Sequence, residues 1–465
     1  MRRACHALLF FTALASAVGF AARAPERAAL VVTGGVVVTM DGGRRVLDPG
    51  ALAVRDGEIL AVDRPEAIAA RFQADETIDA RGQIVLPGLV NAHTHAAMVL
   101  FRGLADDLAL MEWLERYIFP AEAKAVTPAF VRVGTRLAAL EMIESGTTAF
   151  ADMYYFEEEV ARAAREAGLR AVAGETIIRF PSPDAKTPQE ALARAERFIR
   201  EWRGDALIVP AVAPHALYTL DAPELKASRA LADRYAVPLL LHVAETEDEV
   251  RIVRKQFGAA SPVAYLEGLG VLGPRTLAAH GVHVTAEDIA ILRRRAVGVA
   301  HNPESNMKLA SGVAPVPALR QADVTVALGT DGAASNNDLD MFEAMRQAAL
   351  LHKLVARDPR VLPAPAVLEM ATLGGARALG LADRVGSLEP GKRADLILVS
   401  TASARLTPLY DPVSHLVYVA KGTDVTTTIV DGTVLMRDRR VATLDARAVL
   451  AEARAMAETV RAALR

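Results

Sequence analysis

The chain of 465 residues contains a single cysteine, Cys5, and has no apolar run long enough to span a membrane after its first 22 residues. One thiol cannot form a disulfide framework or a thiolate zinc cluster, so any metal must be bound by His, Asp or Glu. The formal net charge of -3 provides no basic field for nucleic acid or anionic lipid. These absences favour a globular protein that acts on small molecules, and 52% hydrophobic residues suffice for a large core.

Residues 1–22 differ from the rest of the chain. Two arginines follow the initiator methionine, and an uncharged run ends in small residues at 15–17 and 21–22. This order is typical of a secretory signal peptide, so we expect export, with a periplasmic location and no membrane attachment after cleavage. An uncleaved anchor is one alternative, because the run is about long enough to cross a bilayer. A start codon assigned too early is the other, and the protein would then be cytoplasmic.

Short β-rich stretches with glycine and aspartate turns occupy residues 29–86, and similar stretches return at 386–440. The pattern predicts one small β-sandwich domain that is built from both ends of the chain. Residues 441–465 are rich in alanine, arginine and glutamate and predict an exposed C-terminal helix.

Between these parts, residues 87–385 alternate apolar strands with helical segments, which indicates parallel βα units. Eight units close into a (β/α)₈ barrel, so the predicted fold class is α/β, with a TIM-like barrel inserted into the β-sandwich. In such barrels the reacting groups lie at the carboxyl ends of the strands. The predicted strands are 84–95, 147–153, 170–178, 207–213, 238–242, 276–280, 297–301 and 324–331.

Histidines are concentrated at the predicted strand ends. His93 and His95 lie two residues apart on the first strand and therefore point to the same face. His242 ends the fifth strand and Asp331 closes the eighth. An isolated histidine is more often a core residue, but four ligand types at the strand ends of one barrel favour a metal site. We predict that His93, His95, His242 and Asp331 bind a catalytic zinc ion, whose ligands are typically imidazole and carboxylate.

A hydrolytic site also needs a group that carries protons to the leaving atom. Glu245, three residues after His242, is the candidate general acid and base. The alternative is a carboxylate that only stabilises a helix N-terminus. His280 would hold the metal-bound water while Asp331 accepts its proton. The fourth strand ends at His215 without a lysine that could bridge two ions, so we expect one metal per subunit. Iron, manganese or nickel would accept the same ligands.

Five segments, in their order along the chain, resemble motifs of the amidohydrolase superfamily. They are most similar to those of its 5'-methylthioadenosine/S-adenosylhomocysteine deaminases and related chlorohydrolases. They are residues 87–95, 242–247, 279–282, 301–312 and 329–341. The similarity extends from about residue 30 to about residue 440 and implies the same metal ligands, with Glu245 as proton shuttle and His280 as the histidine that orients water. It further implies that Glu122 binds ribose hydroxyls and that His215 contacts the substrate.

One position departs from those deaminases. After the third strand they carry an arginine in contact with substrate, whereas this chain has Glu175. A glutamate at that contact would repel a substrate carboxylate instead of binding it. Arg179, four residues later, is a candidate replacement.

The resemblance implies a zinc hydrolase that deaminates an adenosine-type nucleoside or a related heterocycle by attack of metal-bound hydroxide, releasing ammonia. Cleavage of another C–N or C–Cl bond, in a cyclic amide, triazine, guanine or cytosine, is the alternative within the same chemistry. A binding protein that has lost catalysis is the alternative from another class. The expected partner is a small-molecule substrate, without nucleic acid or membrane, and a homo-oligomer is left open.

Overall fold

The computed structural model describes residues 25–465 and contains two β-sheets. The predicted signal peptide lies outside the described residues. Among residues 25–465, no helix combines the length and the apolar character that a bilayer crossing requires.

The strands, in chain order, are β1 (Glu26–Val38), β2 (Val46–Arg55), β3 (Glu58–Asp63), β4 (Phe72–Asp79), β5 (Gln83–Pro87), β6 (Leu89–Thr94), β7 (Thr147–Tyr154), β8 (Arg170–Ile177), β9 (Ile208–Pro214), β10 (Leu239–Val243), β11 (Thr276–His280), β12 (Gly298–His301), β13 (Val326–Leu328), β14 (Leu396–Ser400), β15 (Val425–Val430), β16 (Thr433–Arg437) and β17 (Arg440–Val441).

The α-helices are α1 (Pro65–Arg71), α2 (Leu110–Trp113), α3 (Phe119–Ala125), α4 (Pro128–Ser145), α5 (Glu157–Ala167), α6 (Pro188–Trp202), α7 (Ala222–Tyr235), α8 (Glu247–Phe257), α9 (Pro262–Leu269), α10 (Ala286–Arg294), α11 (Pro303–Lys308), α12 (Val316–Gln321), α13 (Met341–Ala356), α14 (Ala364–Met370), α15 (Leu373–Ala378), α16 (Pro412–Tyr418) and α17 (Ala446–Leu464). Short 3₁₀ helices span Ala96–Phe101, Ala404–Leu406 and Gly422–Asp424, and a π-helical turn spans Leu114–Ile118.

Hydroxyl side chains begin many of the helices. Thr127, Thr187, Thr246, Ser261 and Thr285 precede α4, α6, α8, α9 and α10, and each side-chain oxygen accepts a hydrogen bond from the backbone N–H three residues later. These caps satisfy amides that have no partner within the helix. The chain therefore turns sharply from strand or loop into helix.

The predicted β-domain from both ends of the chain is confirmed, and its strands form one continuous nine-stranded mixed sheet. The strand order is β17-β16-β15-β14-β5-β1-β2-β3, with β4 paired to β1. The two chain ends meet where β5 and β14 pair antiparallel, with Val85 opposite Leu398. Alternate residues of these strands share one apolar core, as the period-2 pattern requires.

The strand predicted over 84–95 is two strands in the structure. β5 belongs to the β-domain and β6 is the first strand of the barrel, with Gly88 between them. A Cβ atom at position 88 would lie 2.0 Å from Thr148 Oγ1 of the neighbouring strand β7. Glycine is therefore required where the chain passes from one sheet to the other.

The eight strands of the second sheet follow one another in sequence order from β6 to β13, all parallel, which confirms the predicted barrel. Hydrogen bonds between β6 and the residues that follow β13 close the barrel. Asn91 Nδ2 donates to Thr330 Oγ1 at 2.7 Å, and the Asp331 N–H donates to the His93 carbonyl at 2.9 Å. The last strand is shorter than predicted, and Asp331 lies three residues beyond its end.

The C-terminal helix, predicted to be exposed, is packed on the barrel. Val449, Ala453 and Val460 of α17 are buried, and Glu452 forms an ion pair with Arg136 of α4. Composition alone suggested a solvated helix, but apolar residues at helical spacing give α17 one face to bury.

A buried ion pair joins the barrel to the β-domain. Arg170, at the start of β8, is fully buried, and its Nε and Nη2 donate to both carboxylate oxygens of Asp395 at 2.9 and 3.1 Å. Arg170 Nη1 also donates to the Ala206 carbonyl. Asp395 accepts a further hydrogen bond from the Asp431 N–H at 2.8 Å. Arg170 Nη2 also lies 3.5 Å from Asp431 Oδ1, so both buried charges are paired within the protein.

Removing one member of this pair leaves the other buried without its bidentate partner, because the remaining contact of Arg170, with Asp431 Oδ1 at 3.5 Å, is long and Asp431 is already paired with Arg393. We expect Arg170→Met or Asp395→Leu to lower the free energy of unfolding by about 3–5 kcal/mol, measured by urea denaturation. The double variant should lose less than either single variant, because no charge is left unpaired. Arg27→Met, which breaks the exposed pair with Asp75, is the control and should not shift the unfolding midpoint measurably. Additive losses in the double variant would contradict this explanation.

Candidate active site

Four predicted metal ligands converge at the carboxyl end of the barrel. His93 lies in β6, His95 directly follows it, His242 lies in β10 and Asp331 follows β13. Ligand atoms of His93, His95 and Asp331 all lie within 4.8 Å of one another, and so do those of His93, His242 and His280. Asp331 Oδ1 is 3.4 Å from His93 Nε2 and 3.3 Å from His95 Nε2. The two groups share His93, so they form one site.

Hydrogen bonds fix the orientation of the imidazole rings. His95 Nδ1 donates to the Met153 carbonyl at 2.6 Å, and His242 Nδ1 donates to the His215 carbonyl at 2.9 Å. His280 Nδ1 lies 2.9 Å from Asn306 Oδ1. A carbonyl oxygen only accepts, so each of these Nδ1 atoms carries a proton. Nε2 is therefore the nitrogen of each ring that can bind a metal ion.

The site has an unsatisfied atom that a cation would satisfy. His93 Nε2 is buried and has no hydrogen-bond partner among the described residues. Burial lowers the pKa of His93 to about 4, so its ring is neutral. Buried nitrogen and carboxylate ligands without thiolates are the donor set of a catalytic divalent metal. The residues present therefore fit a divalent ion bound by His93, His95, His242 and Asp331.

His95 differs from the other rings. Burial alone would lower its pKa, but its contact with the Asp331 carboxylate outweighs burial and raises the pKa of His95 to about 9. The same contacts hold the pKa of Asp331 well below its usual range despite burial. A proton on His95 Nε2 occupies the place of a metal ligand bond, so metal binding releases that proton.

Asp331 is held in one position by several groups. Its backbone φ is 64°, a conformation that non-glycine residues seldom adopt. Ser305 Oγ and Ser335 Oγ donate to Oδ2 at 2.7 and 3.1 Å, and the Gly332 N–H donates to Oδ1 at 2.8 Å. Neither serine was predicted as a site residue, although Ser305 lies within the motif at 301–312 and Ser335 within the motif at 329–341.

Glu245 lies beside the ligands. It is buried, and its Oε1 is 3.8 Å from His280 Nε2. Burial raises its pKa, as a proton carrier near neutral pH requires. The next helix is capped by Thr246, so the Glu245 side chain is not needed to begin that helix. Its backbone N–H donates to Glu249 Oε2 at 2.9 Å, which fixes the turn.

The ligand cluster forms one end of a pocket with an empty volume of about 550 Å³. Metal-end residues in its lining are His95, His215, His242, Glu245, His280 and Asp331. Apolar residues in its lining include Met98, Leu110, Trp113, Leu114, Ile118 and Leu309. The pocket therefore has a polar end where reaction is feasible and an apolar end that excludes water.

Glu122 is a buried carboxylate within this pocket, beyond the metal end. Tyr155 Oη donates to Glu122 Oε2 at 3.4 Å, and burial raises the pKa of Glu122 to about 7. A π-helical turn at Leu114–Ile118 precedes its helix, and such turns are frequent at functional sites. Sequence reasoning alone would have assigned Glu122 to a solvated helix surface. Tyr155 was not identified from the sequence, since nothing distinguishes it from a core aromatic residue.

His215 also lines the pocket and supports the metal end. Its ring Nδ1 lies 3.0 Å from Thr219 Oγ1, and its carbonyl accepts the hydrogen bond from His242 Nδ1. Burial lowers the pKa of His215 to about 3, so the ring is neutral. His215 is thus both a pocket residue and, through its backbone, a support for a ligand.

Glu175 does not line the pocket, so it does not repel a substrate there. Its carboxylate is buried behind β8, where Oε1 accepts from Arg194 Nε at 2.8 Å and Oε2 accepts from the Glu157 N–H at 3.1 Å. Thr176, the next residue, lines the pocket instead, because neighbouring strand residues point to opposite faces. Arg179 is half exposed and pairs with Asp221 at 3.0 Å.

Comparison with known proteins supports this geometry. Residues 84–435 match the model of the amidohydrolase family. A protein of Syntrophobacter fumaroxidans named 5-methylthioadenosine/S-adenosylhomocysteine deaminase is 51% identical over 94% of this chain and 99% of its own length. A protein of Syntrophus aciditrophicus with the same function in its name is 46% identical over 95% of this chain and 99% of its own.

Solved structures agree with these relatives. An adenosine deaminase from Xanthomonas campestris with bound zinc superposes with a TM-score of 0.92 at 42% identity, over 94% of this chain and all of that one. A mutant atrazine chlorohydrolase from Arthrobacter aurescens, complexed with zinc and atraton, gives a TM-score of 0.85 at 25% identity, over 92% of this chain and all of that one. The family model covers most of the chain, and the relatives match it nearly end to end. The chain therefore belongs to the amidohydrolase family and is a hydrolase of carbon–nitrogen bonds.

Proposed function

We propose that this protein is a zinc-dependent deaminase of adenosine-type nucleosides, of the 5'-methylthioadenosine/S-adenosylhomocysteine class, that releases ammonia. The observation that carries the proposal is the pocket itself. A buried ligand cluster with Glu245 forms one end, and the buried carboxylate of Glu122 lies beyond it. The names of the two bacterial relatives and of the Xanthomonas enzyme support the substrate class.

His93, His95, His242 and Asp331 would hold the ion. Zinc is favoured because three imidazoles and one carboxylate are among its usual ligands, and because the Xanthomonas structure contains it. A divalent cation in such a site supplies an activated water near neutral pH.

Glu245 would carry the protons of the reaction. Deamination replaces the exocyclic C–N bond of the purine with a C–O bond, and water provides the oxygen and the protons. Glu245 in its acid form donates to the ring nitrogen adjacent to the reacting carbon. It then takes one proton from the incoming water and passes it to the departing nitrogen, which leaves as ammonia. Asp331 accepts the second proton of the water and returns it to Glu245, so the oxygen stays on the ring as a carbonyl and the acid form of Glu245 is restored. Burial raises the pKa of Glu245, which favours the acid form that the first of these steps uses.

His280 and Asp331 would orient the water. His280 Nε2 lies 4.0 Å from Asp331 Oδ2 and 3.8 Å from Glu245 Oε1, so the three groups surround one small space. The Asn306 side chain fixes the His280 ring, with Nε2 turned toward that space.

Glu122 would bind the ribose. A carboxylate accepts hydrogen bonds from both hydroxyls of a vicinal diol, which a bare triazine or pyrimidine ring does not have. This group therefore favours a nucleoside over the triazine that the chlorohydrolase neighbour suggests. Ammonia release from adenosine, with no chloride release from atrazine, is the test between the two.

Metal content tests the proposed ligands. We expect about one zinc per purified chain by elemental analysis, because the cluster forms a single site. His242→Ala should lose most of this zinc. His283→Ala is the matched control, since His283 bonds to the Ser311 carbonyl outside the pocket lining and should keep full zinc. Full occupancy in His242→Ala would remove that residue from the ligand set.

Glu245→Gln tests the proton carrier. The amide preserves shape but cannot exchange a proton, so kcat on adenosine should fall by about 10²- to 10⁴-fold while zinc content stays unchanged. Glu247→Gln is the control: it removes one negative charge from the exposed start of α8, two residues after Glu245, and should keep normal kcat. Unimpaired turnover in Glu245→Gln would exclude Glu245 from proton transfer.

The pH dependence of KM tests Glu122. Burial raises its pKa to about 7, and only the carboxylate form, present above that pKa, accepts both ribose hydroxyls. KM for adenosine should therefore fall as pH rises through about 7, whereas KM for 2',3'-dideoxyadenosine should not.

Two variants test whether Glu122 causes this change of KM with pH. Glu122→Gln should abolish it. Tyr155→Phe should move it to higher pH, because the tyrosine hydroxyl donor lowers the pKa of Glu122. An identical pH profile for adenosine and its dideoxy analogue would contradict ribose binding by Glu122.

A further inference from the structure

We propose that the pocket selects nucleosides whose 5' substituent carries no carboxylate, and so prefers 5'-methylthioadenosine and adenosine to S-adenosylhomocysteine. This inference rests on the proposed function and narrows its substrate class. It comes from the charges of the pocket lining and of the nearest basic side chains.

The lining of the pocket, within the described part of the chain, contains no lysine and no arginine. Its ionisable side chains, apart from histidines and tyrosines, are Glu122, Glu245 and Asp331, all buried. A bound cation balances charge at the metal end, where Glu245 and Asp331 lie. That cation is already paired with Asp331, so it is not a free partner for a carboxylate on the 5' substituent.

Three basic side chains that lie close in sequence to lining residues, or bond behind β8, are already paired. Arg194 bonds to Glu175 and Glu158 on the far side of β8. Arg179 pairs with Asp221 at the surface, and Lys308 pairs with Asp106. A substrate carboxylate would have to displace an existing partner to reach any of these three cations.

The 5' substituent of a bound nucleoside would meet apolar side chains. Glu122 lies on the helical segment that also carries Trp113, Leu114 and Ile118, all of which line the pocket. The 5' carbon and the two hydroxyls are on opposite faces of the ribose ring, so a ribose held by Glu122 turns this substituent away from that carboxylate and toward the other lining residues, which include no lysine and no arginine. A thioether gains contact with aliphatic and aromatic side chains there.

A carboxylate in the same place loses its hydration without gaining a partner. An ionised carboxylate buried without a cation carries a large desolvation cost, and the neighbouring Glu122 repels it. Specificity of this kind arises from rejecting the charged ligand rather than from a new contact to the preferred one. The ammonium of homocysteine, by contrast, has the sign that Glu122 tolerates.

The test is a set of four nucleosides assayed for ammonia release by the wild-type enzyme at one pH. They are 5'-methylthioadenosine, 5'-butylthioadenosine, which matches the homocysteine chain in length without charge, S-adenosylhomocysteine, and its analogue without the carboxylate. We expect kcat/KM for the first two to agree within about tenfold. S-adenosylhomocysteine should be lower than the butylthio compound by about 100-fold or more, and removing its carboxylate should restore most of the loss.

Each outcome has a distinct meaning. Equal kcat/KM for S-adenosylhomocysteine and 5'-methylthioadenosine would overturn this inference and leave the proposed function intact. A butylthio compound as poor as S-adenosylhomocysteine would also overturn it, because length and not charge would then decide. Ammonia release from none of the four would instead overturn the proposed function.

A variant at the surface checks for a hidden cation. Arg179→Ala removes the half-exposed arginine that pairs with Asp221. We expect the ratio of kcat/KM between S-adenosylhomocysteine and the butylthio compound to stay unchanged. A selective loss for S-adenosylhomocysteine would show that Arg179 binds its carboxylate, and the inference would be wrong.

Discussion

The site depends on hydrogen bonds that hold imidazole rings by Nδ1 and turn Nε2 inward. For His95 and His242 the acceptors are backbone carbonyls of neighbouring strand segments, at Met153 and His215. The β-barrel therefore fixes both the position and the protonated nitrogen of each ring. A ring with a free choice of tautomer would spend part of its time as a donor toward the centre, which would weaken cation binding. Ligand geometry is thus a property of the whole strand arrangement.

The β-domain contributes to the same geometry from outside the barrel. β5 of the nine-stranded sheet continues through Gly88 into β6, which carries His93. At the opposite end of the barrel strands, Arg170 and Asp395 link β8 to β14 through a buried, fully bonded ion pair. Because β5 and β6 are continuous, the segment that carries His93 is held by both sheets. This arrangement explains why the metal-binding strand begins where a glycine, and no larger residue, fits against Thr148.

The sequence was sufficient for the barrel, the β-domain and the residues that converge on one site, because strand ends and histidine spacing are local signals. The sequence was insufficient wherever the direction in which a side chain points depends on the residues that it contacts in the fold. Glu175 was expected against the substrate, but strand alternation turns it toward Arg194. The helix α17 has the composition of a solvated helix, yet its apolar face packs on the barrel. Ser305 and Tyr155 act through contacts between segments distant in sequence, and a single sequence does not show such contacts. Ser335 bonds to Asp331, four residues before it, but this contact depends on the turn between them.

Burial raises the pKa of two carboxyl groups of the pocket, Glu245 and Glu122, but the two groups have different roles. The pKa of Glu245 and that of Glu122 are both raised, because each charge is removed from water. Glu245 lies 3.8 Å from the His280 ring, where a proton can be exchanged with a reacting group. Glu122 instead receives the Tyr155 hydroxyl and lies on the segment that carries the apolar lining residues Trp113, Leu114 and Ile118, so it is placed to accept hydrogen bonds from a ligand. The two carboxylates share one buried pocket, but their different positions in it make Glu245 a proton carrier and Glu122 a group that recognises the substrate.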